Sequence, residues 1–255
     1  MKSELDIKWS ILPPAVILLC WVGLSAWLTP QVFPGPIETG RTLLEVILDG
    51  EVFFHLYVTL RRIALSFVIA MSVGATIGLL MGRFVSLDRL MNPSLVIGLN
   101  IPALITSVVL YIALGLNELA AILAVALNKI PLVIVMIREG AKNLDPKLFE
   151  MAKTFEVPRR KVLGGIILPQ LTPYFMAAAR SGLSLIWKIV LVIEFLGRGD
   201  GIGFQIHLFF QEYEIAYILS YTILLVTVML LIEYLVINTL EKRATAWRTP
   251  YRHRT

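Results

Sequence analysis

The sequence predicts an all-α, polytopic transmembrane helical bundle of about six spans, with both termini cytoplasmic and a short polar helix set between two spans. Three observations carry this. Of 255 residues, 57% are hydrophobic and only 16% are charged, whereas soluble domains run near one quarter charged. The apolar residues fall in blocks of about 20, the length that crosses a bilayer. No soluble block is long enough to fold alone. Residues 1–255 therefore read as a single transmembrane domain, with an outer segment at about 29–56 and a cytoplasmic segment at about 139–172.

The first apolar run is Ile11 to Leu28. It is long for a signal-peptide core and lacks a small-residue cleavage site, so it reads as a retained helix starting at Pro13 and Pro14. Its Cys20 is the only cysteine, which excludes an intrachain disulfide and a thiolate metal cluster. Pro30, Pro34 and Pro36 then break the chain. Ile37 to Leu48 gathers its apolar residues mainly on one helical side, the pattern of an interfacial helix. The second span is Leu56 to Met81, entered through Thr59, Arg61 and Arg62, with Gly74 and Gly78 at a spacing that allows close helix approach.

Gly82 to Pro93 reads as a polar turn with Arg83, Asp88 and Arg89. The third span is Ser94 to Leu114, broken near Asn100-Ile101-Pro102, and the fourth is Leu119 to Ile137, with Asn128, Lys129 and Pro131 near its middle. These asparagines and the lysine could satisfy carbonyls freed by the proline kinks. Arg138 to Thr172 is the longest polar region. Pro173 to Leu196 is the fifth span, Gly197 to Glu214 a glycine-rich loop and amphipathic piece, and Ile215 to Asn238 the sixth span.

Six spans put both ends on one side, and basic residues mark it. With cytoplasmic termini, the inner segments hold 16 of the 23 lysines and arginines. The outer segments hold four, namely Arg41, Arg61, Arg62 and Arg198, and Lys129, Arg180 and Lys188 lie in spans. The net charge of +5 thus reports topology, not nucleic-acid binding. Within the inner polar region, Asp145-Pro146 is a helix start. Leu148, Met151, Ala152 and Phe155 share one helical face, and Val157-Pro158 ends the helix. Pattern alone fits a docking helix for a soluble partner or a connector lying on the membrane surface.

The stretch Glu150 to Pro169, E-M-A-K-T-F-E-V-P-R-R-K-V-L-G-G-I-I-L-P, resembles the EAA loop of the membrane subunits of bacterial ABC importers. That signature is Glu-Ala-Ala, three residues, Gly, nine residues, then Ile-x-Leu-Pro. Here the spacing matches without a gap, but Met151 replaces the first alanine and Glu156 the glycine, which moves the expected helix break towards Val157-Pro158. The segments F-P-G-P-I-E-T, H-L-Y-V-T-L-R-R, N-I-P-A-L, L-I-W-K-I-V-L-V-I-E-F-L-G and G-D-G-I-G-F-Q-I are similar to the nitrate, sulfonate and taurine group of these permeases.

The resemblance implies a multi-pass protein of the bacterial inner membrane. It would work with a second copy of the permease, two cytoplasmic ATPase subunits and a periplasmic substrate-binding protein. By resemblance, Glu150, Met151, Ala152, Lys153, Thr154, Phe155 and Glu156 form the ATPase contact on a coupling helix, and Leu168 and Pro169 the junction to the fifth span. ATP and Mg would be bound by the partner. This chain has no Gly-x4-Gly-Lys-Ser/Thr loop, so no cofactor, catalytic residue or metal site is assigned to it.

In the fifth span, Arg180, Ser184, Trp187, Leu191 and Glu194 cluster on one face at about 100° per residue, with Lys188 at its edge. Charges within a span are costly and usually face a cavity or a partner. The functional reading is a pathway lining that favours an anion. The structural reading has Arg180 snorkelling, Lys188 paired within the bundle and Glu194 at the interface. The rival classes are a secondary transporter, which commonly shows internal repeats, and a membrane enzyme. His55, His207 and His253 offer no metal-ligand spacing.

Overall fold

In this computed structural model the described residues are 4–29 and 32–245. Pro30 and His253, named above, lie outside them, as do Lys2, Arg248, Arg252 and Arg254, which are among the 16 inner basic residues. The described chain is all-helical. Its elements are α1 (Glu4–Trp27), α2 (Pro36–Asp49), α3 (Glu51–Arg83), α4 (Val85–Asn100), α5 (Ala103–Leu114), α6 (Glu118–Lys142), α7 (Pro146–Thr154), α8 (Arg159–Val162), α9 (Leu168–Gly197), α10 (Ile202–Gln211), α11 (Ile215–Ile232) and α12 (Asn238–Thr245). Wide π turns at Leu163–Ile167 and Glu233–Ile237 join α8 to α9 and α11 to α12.

Four helical stretches are long and apolar enough to cross a membrane: Glu51–Arg83, Glu118–Lys142, Arg159–Gly197 and Ile215–Glu241. The pair α4 and α5, bent by 96° at the expected break, makes a fifth if it is one span. The apolar part of α1 described here, Leu12–Trp27, is shorter.

Several boundaries differ from the sequence reading. Pro13 and Pro14 sit inside α1, not at its start. The second span begins at Glu51. The polar turn over Gly82–Pro93 is absent: only Phe84 interrupts the helices, and α4 runs from Val85 through Pro93. The physical reason is long-range pairing. Asp88 accepts from Arg138 Nη1 at 3.2 Å and from Lys142 Nζ at 2.6 Å, and Asn92 accepts from Arg138 at 2.8 Å. Polar residues that look like a loop are thus a helical face tied to the end of α6.

Two compact units form, Met1–Val58 with Glu194–Val228 and Thr59–Ile193 with Met229–Thr255. In the second unit, α3 lays a glycine ridge along α6. A Cβ at Gly74 would come within 2.7 Å of Val133 Cβ, and one at Gly78 within 2.8 Å of the Ile134 carbonyl oxygen. At Gly82 it would run into Ala141. Around this ridge Ala75, Val133, Ile137 and Ala178 are buried, with Tyr174 and Phe175 packed against them. Such backbone-to-backbone packing is how helices associate where lipid removes the hydrophobic drive. The sequence spacing at Gly74 and Gly78 pointed to a contact, and Gly82 extends it.

In the first unit, α2 buries Thr39, Thr42 and Val46 and leaves Ile37, Leu44 and Leu48 exposed. The apolar residues of α2 are thus divided, with Val46 buried, Leu43 and Ile47 half-buried and the other three outward. The Ser220 hydroxyl of α11 donates to the Thr39 carbonyl at 3.1 Å, and Trp21 donates to the Pro34 carbonyl at 3.0 Å.

Candidate functional site

The segment between α6 and α9 is built from local signals. Asp145 caps α7: its carboxylate accepts the Lys147 amide at 2.9 Å, and Pro146 takes the first helical position. At the other end the Val157 amide bonds to the Ala152 carbonyl at 2.8 Å and the Glu156 amide to the Lys153 carbonyl at 3.2 Å. This is the Schellman pattern, which needs a left-handed residue between helix and exit, usually glycine. Glu156 fills that place at φ +49°. The break therefore does not shift to Val157-Pro158: the hydrogen bonds hold the turn at Glu156 although glycine is missing.

A non-glycine residue in this conformation costs about 1–2 kcal/mol. Glu156→Gly is accordingly expected to slow amide hydrogen exchange across Pro146–Val157 by about fivefold, worth about 1 kcal/mol. Unchanged or faster exchange in that segment would contradict the strain argument.

The expected apolar face of α7 is divided. Ala152 is buried, and Leu148 and Phe149 are half-buried. Met151 and Phe155 are exposed, Phe155 at 75%, beside exposed Glu150, Lys153, Thr154 and Glu156. Phe149, which the sequence reading did not single out, lines an apolar cavity of about 410 Å³ with Leu79, Ala141, Leu144, Leu163 and Ile167. The helix is thus seated by one side and presents a mixed apolar and charged surface on the other. Its start is fixed to α9: the Asp145 amide donates to Gln170 Oε1 at 2.9 Å, and Gln170 Nε2 donates to the Ile166 carbonyl at 3.0 Å.

The junction at Leu168 and Pro169 is continuous helix. A proline ring collides with the carbonyl four residues back in a regular helix. For Pro169 that residue is Gly165, which lies inside the widened Leu163–Ile167 turn.

The face predicted on the fifth span is not one surface. The Arg180 guanidinium bonds Asn238 and pairs with Glu241. Glu194 is fully buried and accepts the Gly203 amide at 2.9 Å. It caps α10, where Gly201 (φ +104°) has no room for a side chain against the Glu194 carboxylate. The Gly201 amide in turn donates to His55 Nδ1 at 3.0 Å. Ser184 and Lys188 are exposed, Trp187 and Leu191 half-buried, and Lys188 Nζ lies 5.6 Å from the Trp187 ring centroid.

One further ionic feature escaped the sequence reading. Arg62, fully buried, bonds Glu118 through Nη2 at 2.7 Å, and Arg61 bonds the same carboxylate at 2.8 Å. The partners stand 56 and 57 residues apart, so no local pattern could show them. Lys129, also buried, donates from Nζ to the Ser181 carbonyl at 3.2 Å. Asn128 donates to the Ile101 carbonyl at 3.3 Å, in the break between α4 and α5, which is the carbonyl-satisfying role expected of it.

Long apolar helices packed on a glycine ridge, with a capped helix seated between two spans, define a multi-pass membrane protein of the ABC permease fold. The backbone aligns with an inward-facing methionine ABC transporter at TM-score 0.64, with 18% identity over 74% of this chain and 94% of that one. An amino acid ABC transporter crystallised with histidines aligns at 0.63, with 20% identity over 79% and 98%. The chain belongs to the family described as binding-protein-dependent transport system inner membrane component, whose model matches residues 74–244.

A Bacillus subtilis (strain 168) protein named for aliphatic sulfonates transport is 29% identical over 94% of this chain and 88% of its own length. The taurine transport system permease protein of Escherichia coli (strain K12) is 24% identical over 91% and 87%. The bicarbonate transport system permease protein of Synechococcus elongatus is 25% identical over 73% and 67%. These relatives are transport permeases, not enzymes.

Proposed function

We propose that this chain, paired with a second copy, forms the translocation pathway of an ABC importer for a small anion such as a sulfonate, taurine or nitrate. A periplasmic substrate-binding protein delivers the substrate. Two cytoplasmic ATPase subunits, which bind ATP and Mg, receive α7 in surface grooves. Both termini and α7 are cytoplasmic, in keeping with 16 of 23 basic residues on that side. The observation that carries this reading is the division of α7. Its buried Ala152 side is held to the bundle while Met151 and Phe155 are presented to the outside beside Glu150 and Lys153. An apolar pair rimmed by charge is the anatomy of a docking surface.

Movement of the docked ATPase would pass through Ala152 and the Asp145–Gln170 hydrogen bond into α9, so that two permease copies rock between inward and outward openings. On α9 the exposed Ser184 and Lys188, with Trp187, are the pathway positions this reading favours, and the cation suits an anionic cargo. The test is co-purification from detergent-solubilised membranes. The native chain should bring down an ATPase and Glu150→Arg should lose it. An intact native chain that brings down none would overturn the importer reading.

A further inference from the structure

Lys129 is 2% exposed. Its aliphatic stem passes Gly182, whose added Cβ would lie 3.6 Å from Lys129 Cε, and its Nζ reaches the Ser181 carbonyl. An ammonium has three N–H donors. Among the described residues that carbonyl is its hydrogen-bond partner, and no carboxylate pairs with it. An unneutralised cation inside a span is costly unless something anionic compensates it.

Lys129 also lines a cavity of about 270 Å³, together with Asn128, Ala103, Leu132, Leu185 and Ile189. Ala103 is the first residue of α5, immediately after the 96° break. The first-turn amides of a helix lack partners within it and carry partial positive charge. Broken spans in other transporters use such half-helix starts to hold anionic groups. One cavity thus gathers an ammonium, a helix start and a carboxamide, with aliphatic walls from α6 and α9. Its volume is below the roughly 300 Å³ at which drug-sized pockets begin, so the guest has only a few heavy atoms.

We infer that this cavity is an anion subsite in the permease itself: Lys129 and the start of α5 hold the charged head of a small monoanion, and Leu132, Leu185 and Ile189 receive a short aliphatic tail. The inference rests on the importer reading and deepens it, since it adds an enclosed cargo subsite to the exposed pathway positions on α9.

The test uses the full chain purified in detergent, with whatever ATPase accompanies it. Methanesulfonate, nitrate and bicarbonate are titrated separately by calorimetry against sodium gluconate of equal ionic strength. At least one should bind saturably to the native chain and to Lys129→Arg. Lys129→Gln should weaken that binding by about tenfold or more, as loss of a charged hydrogen bond does. If none of the three binds the native chain, or if Lys129→Gln binds as the native chain does, the subsite is wrong.

Should Lys129→Gln fail to fold, Ala103→Asp serves instead. It places a carboxylate at the cavity without touching the Ser181 contact, and anion binding should be lost with the melting curve retained. Binding that survives Ala103→Asp overturns the inference. An ATPase that co-purifies with a chain binding no anion overturns the subsite alone. Saturable anion binding without any ATPase supports the subsite and overturns the importer reading.

Discussion

Replacing Glu118 with glutamine will destabilise the packing of α3 on α6 by about 2 kcal/mol, between the cost of an exposed ion pair and that of a fully buried one, since Arg62 is buried while Glu118 is 30% exposed. Arg62 is only 1% exposed, so the guanidinium that loses its carboxylate cannot turn to water. Arg61 shares the same carboxylate but is 43% exposed. Arg61→Gln should therefore cost less than about 1 kcal/mol, as exposed pairs do. Glu118→Ala, which removes both carboxylate oxygens and the side-chain acceptor that glutamine keeps, should melt at least as low as Glu118→Gln. Thermal melting of the detergent-solubilised chain orders the three variants. If Glu118→Gln melts no lower than Arg61→Gln, the buried pair does not hold this end of α3 and α6.

Gly78→Leu should prevent α3 from seating on α6. The first carbon of any side chain there would lie 2.8 Å from the Ile134 carbonyl oxygen, 3.0 Å from Ile137 Cβ and 3.2 Å from the Arg138 amide nitrogen. Two of these are backbone atoms, which cannot rotate aside. Overpacking a fitted core costs about 1–3 kcal/mol where side chains can yield, and here backbones must separate. We expect a loss above about 3 kcal/mol for leucine, read as lost monodisperse protein on size-exclusion chromatography. Gly40→Ala is the control. Gly40 lies within α2 with open space around its added carbon, and the change should be neutral or slightly stabilising. Normal yield and melting of Gly78→Leu would show that the ridge is not a close contact.

The class of fold was legible because span length and charge distribution are properties of the chain alone. The start of α7 was equally legible: Asp145-Pro146 is a local signal and capped the helix where expected. The break before Pro102 was also local, although its 96° angle was not. What the sequence hid was long-range. Asp88 and Asn92 read as part of a loop because their partners on α6, Arg138 and Lys142, lie some 50 residues away. Glu194 read as a pathway-lining residue because nothing near it announces that it caps α10. Arg180 was placed with Ser184 by helical phase, yet its partners are Asn238 and Glu241, about 60 residues on. Glu156 was misjudged for a different reason. Residue preference pointed away from the left-handed turn, and two backbone hydrogen bonds outweighed it.

The wide turn at Leu163–Ile167 bears on how this stretch can change in descent. A five-residue turn is an ordinary helical turn with one residue added, and the addition rotates everything beyond it by about 100°. Gly164 and Gly165 have no atom near the place a side chain would occupy, so a side chain gained at either position meets nothing, whereas Ile166 of the same turn is buried. What retains the addition is Pro169, whose ring requires the relaxed geometry four residues earlier. In an alignment of relatives, the extra residue and that proline should be gained and lost together. A one-residue gap at this point would then be read as a change of helical pitch, not as an error of alignment.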